Sequence, residues 1–278
     1  MKFGSPHRHF RVTDSTNARA RELVEAGALG GTVVTAAEQT AGRGRQGRSW
    51  TAPAGKALLY SAVLRPLDQR HLLLPLAAPL AVCEAAEELE PGVECAIKWP
   101  NDVWVDGRKL AGVLIEAKPR DGWAVIGVGL NLSISPSEFP PDLRDKAVSL
   151  FDPGTGSRGE AWEVPREAAH RRATPAAKPL QHSERSASGA NLGTSPDLPP
   201  TPLTAAAVLN RHLARWVEAD RDAILAAWRD RDALRGREVS WDGGAGVAAG
   251  IEDSGDLVVV AAGGDRVVLG AGEVHLRL

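Results

Sequence analysis

The densest group of residues that could do chemistry is the segment 42–50, GRGRQGRSW, which we call the arginine loop. Three arginines within six residues alternate with glycines, and Trp50 closes the segment. Glycine lets backbone N–H groups approach a ligand closely because it has no Cβ. The arginine guanidinium offers a planar fork of donors that suits a carboxylate or a phosphate. The segment therefore predicts a loop that wraps an anion.

The arginine loop does not match the common phosphate-binding motifs. No Gly-Lys-Ser/Thr follows at the Walker A spacing, and the glycine spacing differs from a dinucleotide fingerprint. A solvated basic turn and a flexible RNA-binding RG segment remain open from the loop alone. The net charge of −2 argues against a general nucleic-acid binder, so a small anionic ligand is the favoured interpretation.

A second group of polar residues lies at 14–17 (DSTN), where all four residue types are good helix N-caps. We expect a helix to continue to Val24 and to end at Gly27. A plain cap is the simpler interpretation. Such a cap also leaves hydroxyls and free N–H groups at one spot, which suits a polar ligand head. Gln39 follows a predicted strand at 31–36 that leads to the arginine loop.

A third group lies on a predicted hairpin that carries Asn101, Asp102 and Lys109. Asp106-Gly107 predicts a type I′ turn between a strand at 96–105 and a strand at 108–116. A lysine that alternates into a sheet face must either reach solvent or find an anionic partner. A structural pair of Lys109 with Asp102 is therefore the simpler alternative to a ligand-binding role.

The order of predicted elements indicates an α+β fold with a mixed or antiparallel sheet flanked by helices, since hairpin turns separate several strands. A glycine-containing strand is expected at 123–132, and helices are expected at 73–89 and 205–228. Short strands and tight turns after residue 233 predict a small C-terminal barrel. The expected domains are therefore 1–233 and 234–278.

The segment 152–202 is rich in Ser, Gly, Pro, Ala and Arg and has no apolar periodicity, so we predict a disordered insertion. Cys83 and Cys95 lack a CxxC spacing, and we interpret them as reduced core residues of a cytoplasmic protein without a metal site. The polar N-terminus and the absence of a run of about 18 apolar residues predict neither export nor membrane insertion.

Five blocks in order resemble the signature blocks of biotin protein ligases. They are 14–17 (DSTN), 39–48 (QTAGRGRQGR), 98–102 (KWPND), 107–112 (GRKLAG) and 127–131 (GVGLN). The segment 271–274 (AGEV) resembles the end of the small SH3-like C-terminal domain of that family. The resemblance covers nearly the whole chain outside the first ten residues and 152–202. Because the blocks begin by residue 14, we expect the monofunctional type without an N-terminal DNA-binding domain.

The resemblance implies a two-step reaction. Biotin and Mg-ATP give biotinyl-5′-AMP and pyrophosphate, and the biotinyl group then passes to a lysine of a biotin-carrier protein such as the acetyl-CoA carboxylase carrier domain. Positive groups would hold the biotin carboxylate and the α-phosphate together, because the two anions repel each other. We expect a cytoplasmic monomer or homodimer with no nucleic-acid or membrane partner.

The resemblance also implies site residues. Catalytic roles fall on Lys109, Arg45 and Asp102. Biotin contacts fall on Ser15, Thr16, Asn17, Gln39, Arg43, Gly44, Arg45, Lys109 and Gly112. ATP contacts fall on Arg43, Arg45, Arg48, Trp50, Asn101, Lys109 and Asn131. No residue is assigned to a metal.

The sequence departs from the family pattern at Gln46, where a basic residue is frequent, and in the 152–202 insertion. Two other functions stay open. A non-catalytic biotin sensor would leave Lys109 without a purpose. A lipoate or octanoate transferase relative would need a different substrate-binding motif, which combines an Arg-Arg with a glycine run, and we do not find that motif in this chain.

Overall fold

A seven-stranded mixed sheet forms the centre of the computed structural model, which describes residues 1–151, 200–270 and 274–276. Its strands run in the order β1-β2-β3-β7-β6-β5-β4, and only the β1–β2 pair is parallel. The strands are β1 His7–Thr13, β2 Val33–Gln39, β3 Ala57–Leu64, β4 Ala96–Lys98, β5 Asp102–Val105, β6 Arg108–Lys118 and β7 Trp123–Asn131. The predicted α+β class is confirmed.

Four helices cover the two faces of this sheet. They are α1 Thr16–Glu25, α2 Leu74–Leu89, α3 Pro202–Val217 and α4 Arg221–Arg229. Alternation along β3 separates the faces: Tyr60 joins the main core with α2 and α3, whereas Val63 packs with Val24 of α1. Tyr60 also donates a hydrogen bond to Asn210 of α3 over 2.7 Å. On this second face, α1 packs against β2, β3 and β7.

Three sequence predictions differ from the observed elements. The stretch 96–105 forms two strands with a turn at 99–101, because Pro100 has no N–H to continue a ladder. The stretch 205–228 forms α3 and α4, which a turn at 218–220 separates. Helix α2 begins at Leu74, one residue after the expected start, and accommodates Pro79 in its interior.

A second sheet is five-stranded and antiparallel, in the order β11-β10-β9-β8-β12. Its strands are β8 Glu238–Trp241, β9 Gly244–Ile251, β10 Leu257–Ala261, β11 Arg266–Leu269 and β12 Val274–Leu276. Leu257 and Val259 belong to the same apolar cluster as α2, and the Trp99 indole donates to the Gly255 carbonyl over 3.1 Å. The two sheets are therefore packed together, and a division at residue 233/234 stays a prediction.

Two sequence predictions fall largely outside the described residues. They are the insertion, of which only residues 200–202 are described, and the segment 271–273. Thr201 caps α3, so the end of the predicted insertion is a few residues too late. Cys83 and Cys95 are buried free thiols, as expected of core residues. In the described ranges, no helix has the length and apolar character needed to cross a membrane.

Asp232 lies where the two sheets meet. It is 6% exposed, bridges to Ile97 of β4, and its Oδ2 is 3.9 Å from the Cβ position of Gly250 in β9. Oδ1 accepts the Leu234 N–H over 2.9 Å, while Oδ2 has no hydrogen-bond partner among the described residues. Burial raises the pKa of Asp232 to about 6 and outweighs the opposing backbone N–H groups and Arg235.

The raised pKa of Asp232 predicts that this residue lowers the free energy of unfolding at high pH. The folded-state pKa lies above the ordinary value of 3.8, so the contribution of Asp232 to stability falls as the pH rises from about 4 through about 6. Asp232→Asn removes the charge and keeps an oxygen for Leu234. The free energy of unfolding of Asp232→Asn minus that of the wild type should increase by about 2 kcal/mol as the pH rises from 4.5 to 7.5.

Urea unfolding at the two pH values measures this difference. Asp265→Asn in the exposed β10–β11 turn is the matched control and should follow the wild-type pH dependence. A constant offset between Asp232→Asn and the wild type at both pH values would contradict the assignment.

Candidate active site

Three glycines make the floor of a cleft on the α1 face of the sheet. Gly112 of β6 pairs with Gly129 of β7, and Gly127 lies two residues before Gly129 on the same face. A Cβ on Gly129 would lie 2.3 Å from the Trp50 indole, and a Cβ on Gly127 would lie 2.1 Å from Asn17 Oδ1. No larger residue fits at either position, so glycine is required for the close approach.

A β-bulge brings Lys109 onto this floor. Val103 of β5 pairs with Ala111, whereas Trp104 pairs with Lys109, so Leu110 is an extra residue on β6. Strict alternation would place Lys109 and Gly112 on opposite faces, because three positions separate them. With the bulge, Lys109 Nζ is 3.3 Å from the Cβ position of Gly112. The lysine therefore points into the cleft.

Lys109 marks the cationic end of the cleft. Its Nζ is 2.7 Å from Asp102 Oδ1 and 5.7 Å from the centre of the Trp50 ring, and a third of the side chain is exposed. Arg45 Nη1 donates to Asn101 Oδ1 over 3.4 Å, next to Asp102 in the chain. The structure thus brings the hairpin residues and the arginine loop together, and the sequence analysis expected both groups in one site.

Buried polar groups form the opposite end, which we call the polar end. The Thr16 N–H and hydroxyl both donate to Gln39 Oε1, over 2.6 and 3.0 Å. Ser61 Oγ lies 2.8 Å from Thr16 Oγ1 and 2.6 Å from Asn17 Oδ1. Sequence reasoning missed Ser61, although a lone serine in the otherwise apolar strand β3 is a usable signal. This end offers several donors and acceptors within a few ångströms.

Ser15 occupies the N-cap position of α1 without a capping hydrogen bond from its side chain. Its own N–H donates to Asp14 Oδ1 over 2.6 Å, and this bond lowers the pKa of Asp14. The predicted cap is therefore correct in position only. Ser15 is 3% exposed and adjoins the polar end through Thr16.

Glu116 is the second residue that sequence reasoning missed. Its Oε2 accepts from Asn17 Nδ2 over 2.9 Å, and its Oε1 is 2.9 Å from Arg43 Nη1. Arg43 therefore contacts the polar end through Glu116, which lies seven positions after Lys109 on β6. The sequence had grouped Arg43 with Arg45 on the side of the carboxylate and phosphate.

Backbone hydrogen bonds close the base of the arginine loop. Gly42 O accepts from Trp50 N–H over 3.0 Å, and Gly44 N–H donates to Arg48 O over 2.7 Å. A short 3₁₀ turn at Arg45–Gly47 has Gln46 at φ 53, an uncommon conformation for a side chain other than glycine. Arg48 is exposed at the tip. The backbone bonds at the base hold Trp50 over the glycine floor.

Asn131 ends strand β7 and has a structural contact. It is 4% exposed, and its Nδ2 donates to Val148 O over 3.1 Å. Next to it, Ala57, Leu59, Ile134, Phe139 and Ala147 form an apolar cluster on which Trp50 packs. This cluster is the apolar wall of the cleft. A contact of Asn131 with a ligand stays a prediction.

The glycine floor gives a stability prediction. Gly127→Ala places a Cβ against Asn17, whose side chain is held by hydrogen bonds to Ser61 and Glu116. Displacing that side chain breaks buried hydrogen bonds, and the free energy of unfolding should fall by about 2 kcal/mol. Urea unfolding measures the loss. Gly263→Ala is the control, because its Cβ meets only Asp265 at 3.7 Å. Equal stability of the two variants would contradict the requirement for glycine at position 127.

Comparisons with known proteins agree with this architecture. Residues 9–132 match the sequence model of the Biotin/lipoate A/B protein ligase family. The chain is 43% identical over 152 residues to the biotin--[acetyl-CoA-carboxylase] ligase of Mycobacterium tuberculosis, covering 52% of this chain and 54% of that protein. It is 40% identical over 144 residues to the bifunctional ligase/repressor BirA of Bacillus subtilis, covering 50% and 44%. The chain spans about half the length of the curated relatives it matches.

The structural comparison covers more of the chain. Biotin protein ligase from Aquifex aeolicus, solved in complex with biotin and ATP, aligns over 98% of both chains with a TM-score of 0.66 and 25% identity. The matched sequence segment includes the polar end, the arginine loop, the bulged strand and the glycine floor. Residues 9–132 of the chain are therefore similar to the Biotin/lipoate A/B protein ligase family, and the fold of the whole described chain is similar to that of a biotin protein ligase.

Proposed function

We propose that this protein is an ATP-dependent ligase that converts biotin to biotinyl-5′-AMP and transfers the biotinyl group to a lysine of a biotin-carrier domain. The observation that carries the proposal is the position of Lys109, which is held by Asp102 at the cationic end of a glycine-floored cleft. The model of the Biotin/lipoate A/B protein ligase family matches residues 9–132, which include this cleft, and relatives named as biotin ligases match about half of the chain. A cytoplasmic location and the carboxylase carrier domain as acceptor belong to the same proposal.

The polar end is the proposed site of the ureido ring. A ureido group presents one carbonyl acceptor and two N–H donors, so it needs donors and acceptors together. Ser15, Thr16, Asn17 and Gln39 supply hydroxyl and amide groups there. The glycine floor leaves room for the rest of the ligand, with Gly112 beside its acyl chain.

The cationic end is the proposed site of the first chemical step. A biotin carboxylate oxygen attacks the α-phosphorus of ATP, the new O–P bond forms, and the bond to pyrophosphate breaks. Lys109 would contact both anions and offset their repulsion, and its contact with the phosphate would strengthen as charge develops. Arg45 adjoins this end and Arg48 lies at the exposed loop tip, so both are proposed phosphate contacts.

The nucleotide is proposed to lie between the arginine loop and the apolar wall. Trp50 offers an aromatic surface for the adenine, and Asn131 and Asn101 offer amides nearby. In the described ranges, no group of three or more His, Cys, Asp or Glu side chains could hold a metal ion. Magnesium would therefore enter with the ATP phosphates, with Asp102 and Asn101 as the nearby oxygen donors, and would offset phosphate charge.

The second step requires an acceptor amine and a dry site. The lysine amine of the carrier attacks the acyl carbon of the mixed anhydride, an amide forms, AMP leaves, and the amine loses a proton. Asp102, which holds Lys109 over 2.7 Å, is the carboxylate at this end and orients that lysine. Trp50 and the apolar wall restrict water, which would otherwise hydrolyse the anhydride.

The proposal predicts the substrates of both half-reactions. The purified protein with biotin, MgATP and a carrier domain should release pyrophosphate and add one biotin to the acceptor. Pyrophosphate detection and mass spectrometry of the acceptor measure the two steps. Lipoate and octanoate are the competing substrates, because the family includes lipoate ligases. Binding of biotin without pyrophosphate release would indicate a sensor instead, and preference for lipoate would indicate the other branch.

The role of Lys109 gives a second prediction. Lys109→Ala should lower the rate of pyrophosphate release by at least about 100-fold, because it removes the cation nearest the reacting anions. Lys118→Ala is the matched control: Lys118 also lies on β6, but it pairs with Glu25 outside the cleft. Its rate should stay within about twofold of the wild type. Near-normal turnover of Lys109→Ala, with an intact fold by circular dichroism, would remove Lys109 from the mechanism.

A further inference from the structure

Glu116 connects two parts of the cleft that are distant in sequence. Each of its two carboxylate oxygens contacts a different part: Oε2 accepts a hydrogen bond from Asn17 of α1, and Oε1 forms an ion pair with Arg43 of the arginine loop. Arg21 of α1 is also within 3.9 Å of Oε1. The Glu116 side chain is 22% exposed and that of Arg43 46%, so the carboxylate is the better shielded partner. Glu116 thus joins helix, loop and strand at the polar end.

The Glu116 carboxylate fixes the orientation of the Asn17 amide. An ionised carboxylate only accepts hydrogen bonds, so Asn17 must present Nδ2 to it and Oδ1 to Ser61 and the floor at Gly127. A flipped amide would set two acceptors against each other at 2.9 Å. The polar end therefore presents a defined acceptor on Asn17 because Glu116 lies behind it.

The ion pair also decides what Arg43 can do. Arg43 pairs with the Glu116 carboxylate at the polar end, whereas Lys109 pairs with Asp102 at the other end of the floor. Gln39, three residues before the arginine loop, accepts hydrogen bonds from Thr16 at the polar end. Both ends of the segment 39–43 are therefore anchored to the polar end, which sets where the rest of the loop begins.

We propose that Glu116 is a positioning residue for the ring-binding end of the cleft. It holds the Asn17 amide and the arginine loop in one arrangement, and Arg43 serves as its partner and not as a ligand of the phosphates. The inference rests on the proposed biotin ligase function and adds a residue and a role that the sequence blocks did not assign.

Glu116→Gln tests this role because it keeps an acceptor oxygen for Asn17 and removes the charge that holds Arg43. The KM and the dissociation constant for biotin should rise about tenfold, equivalent to about 1.4 kcal/mol. The KM for ATP and kcat at saturating biotin should stay within about twofold. Steady-state pyrophosphate release and calorimetric titration with biotin alone measure these values. A general loss of structure would instead lower kcat as well.

A double-mutant cycle tests the partnership. Arg43→Gln should raise the biotin KM to a similar extent. The biotin KM of the double variant should be no higher than that of either single variant, because each single substitution already breaks the Glu116–Arg43 pair. Glu25→Gln is the matched control, since Glu25 pairs with Lys118 outside the cleft, and it should behave like the wild type.

The outcomes distinguish a failure of the inference about Glu116 from a failure of the proposed ligase function. A wild-type protein that releases no pyrophosphate with biotin and ATP would overturn the ligase proposal. An active wild type with an unchanged biotin KM in Glu116→Gln would overturn the role of Glu116 alone. A raised ATP KM in Arg43→Gln, additive with Glu116→Gln, would show that Arg43 binds the phosphates and would also overturn the inference.

Discussion

The close approach of side chains to the backbone of β6 and β7 is the constraint on which the cleft depends. Asn17 and Trp50 each lie where a Cβ would be on a floor glycine, at 2.1 and 2.3 Å. Without those glycines, helix α1 and the arginine loop could not both approach the sheet. The floor therefore determines where the polar end and the aromatic cover lie, and with them the space left for a ligand.

Strand β6 distributes charge along this floor. At one end Lys109 pairs with Asp102, and at the other Glu116 pairs with Arg43. Both Lys109 and Arg43 have a carboxylate partner, so the cleft is not simply a cationic groove that would attract any polyanion. Lys109 keeps a third of its side chain exposed beside the Trp50 ring, which leaves it able to contact an added anion. Local pairing thus suits a small ligand with one charged end.

Much of this could be predicted from the sequence, because its signals are local. Asp106-Gly107 predicted a turn, and both residues have positive φ, as a type I′ turn requires. The grouping of Lys109 with Asp102 also followed from a hairpin. The bulge at Leu110 could not be predicted, since it depends on the pairing register of β5 and β6. Ser61 and Glu116 were missed for the same reason: each contacts residues more than 40 positions away.

In the proposed ligase, this arrangement would link ring recognition to the placement of Arg45 and Trp50 beside Lys109. The segment 39–50 contacts Thr16 and Glu116 at one end of the cleft and Asn101 and the floor under Trp50 at the other. A ligand can shift a loop only as far as it binds one arrangement better than another. A ligand that fills the polar end contacts the anchors of this segment, so its binding energy favours the arrangement in which Arg45 and Trp50 adjoin Lys109. In the proposed ligase, the ring takes no part in the chemistry but would help to assemble the site where the carboxylate reacts.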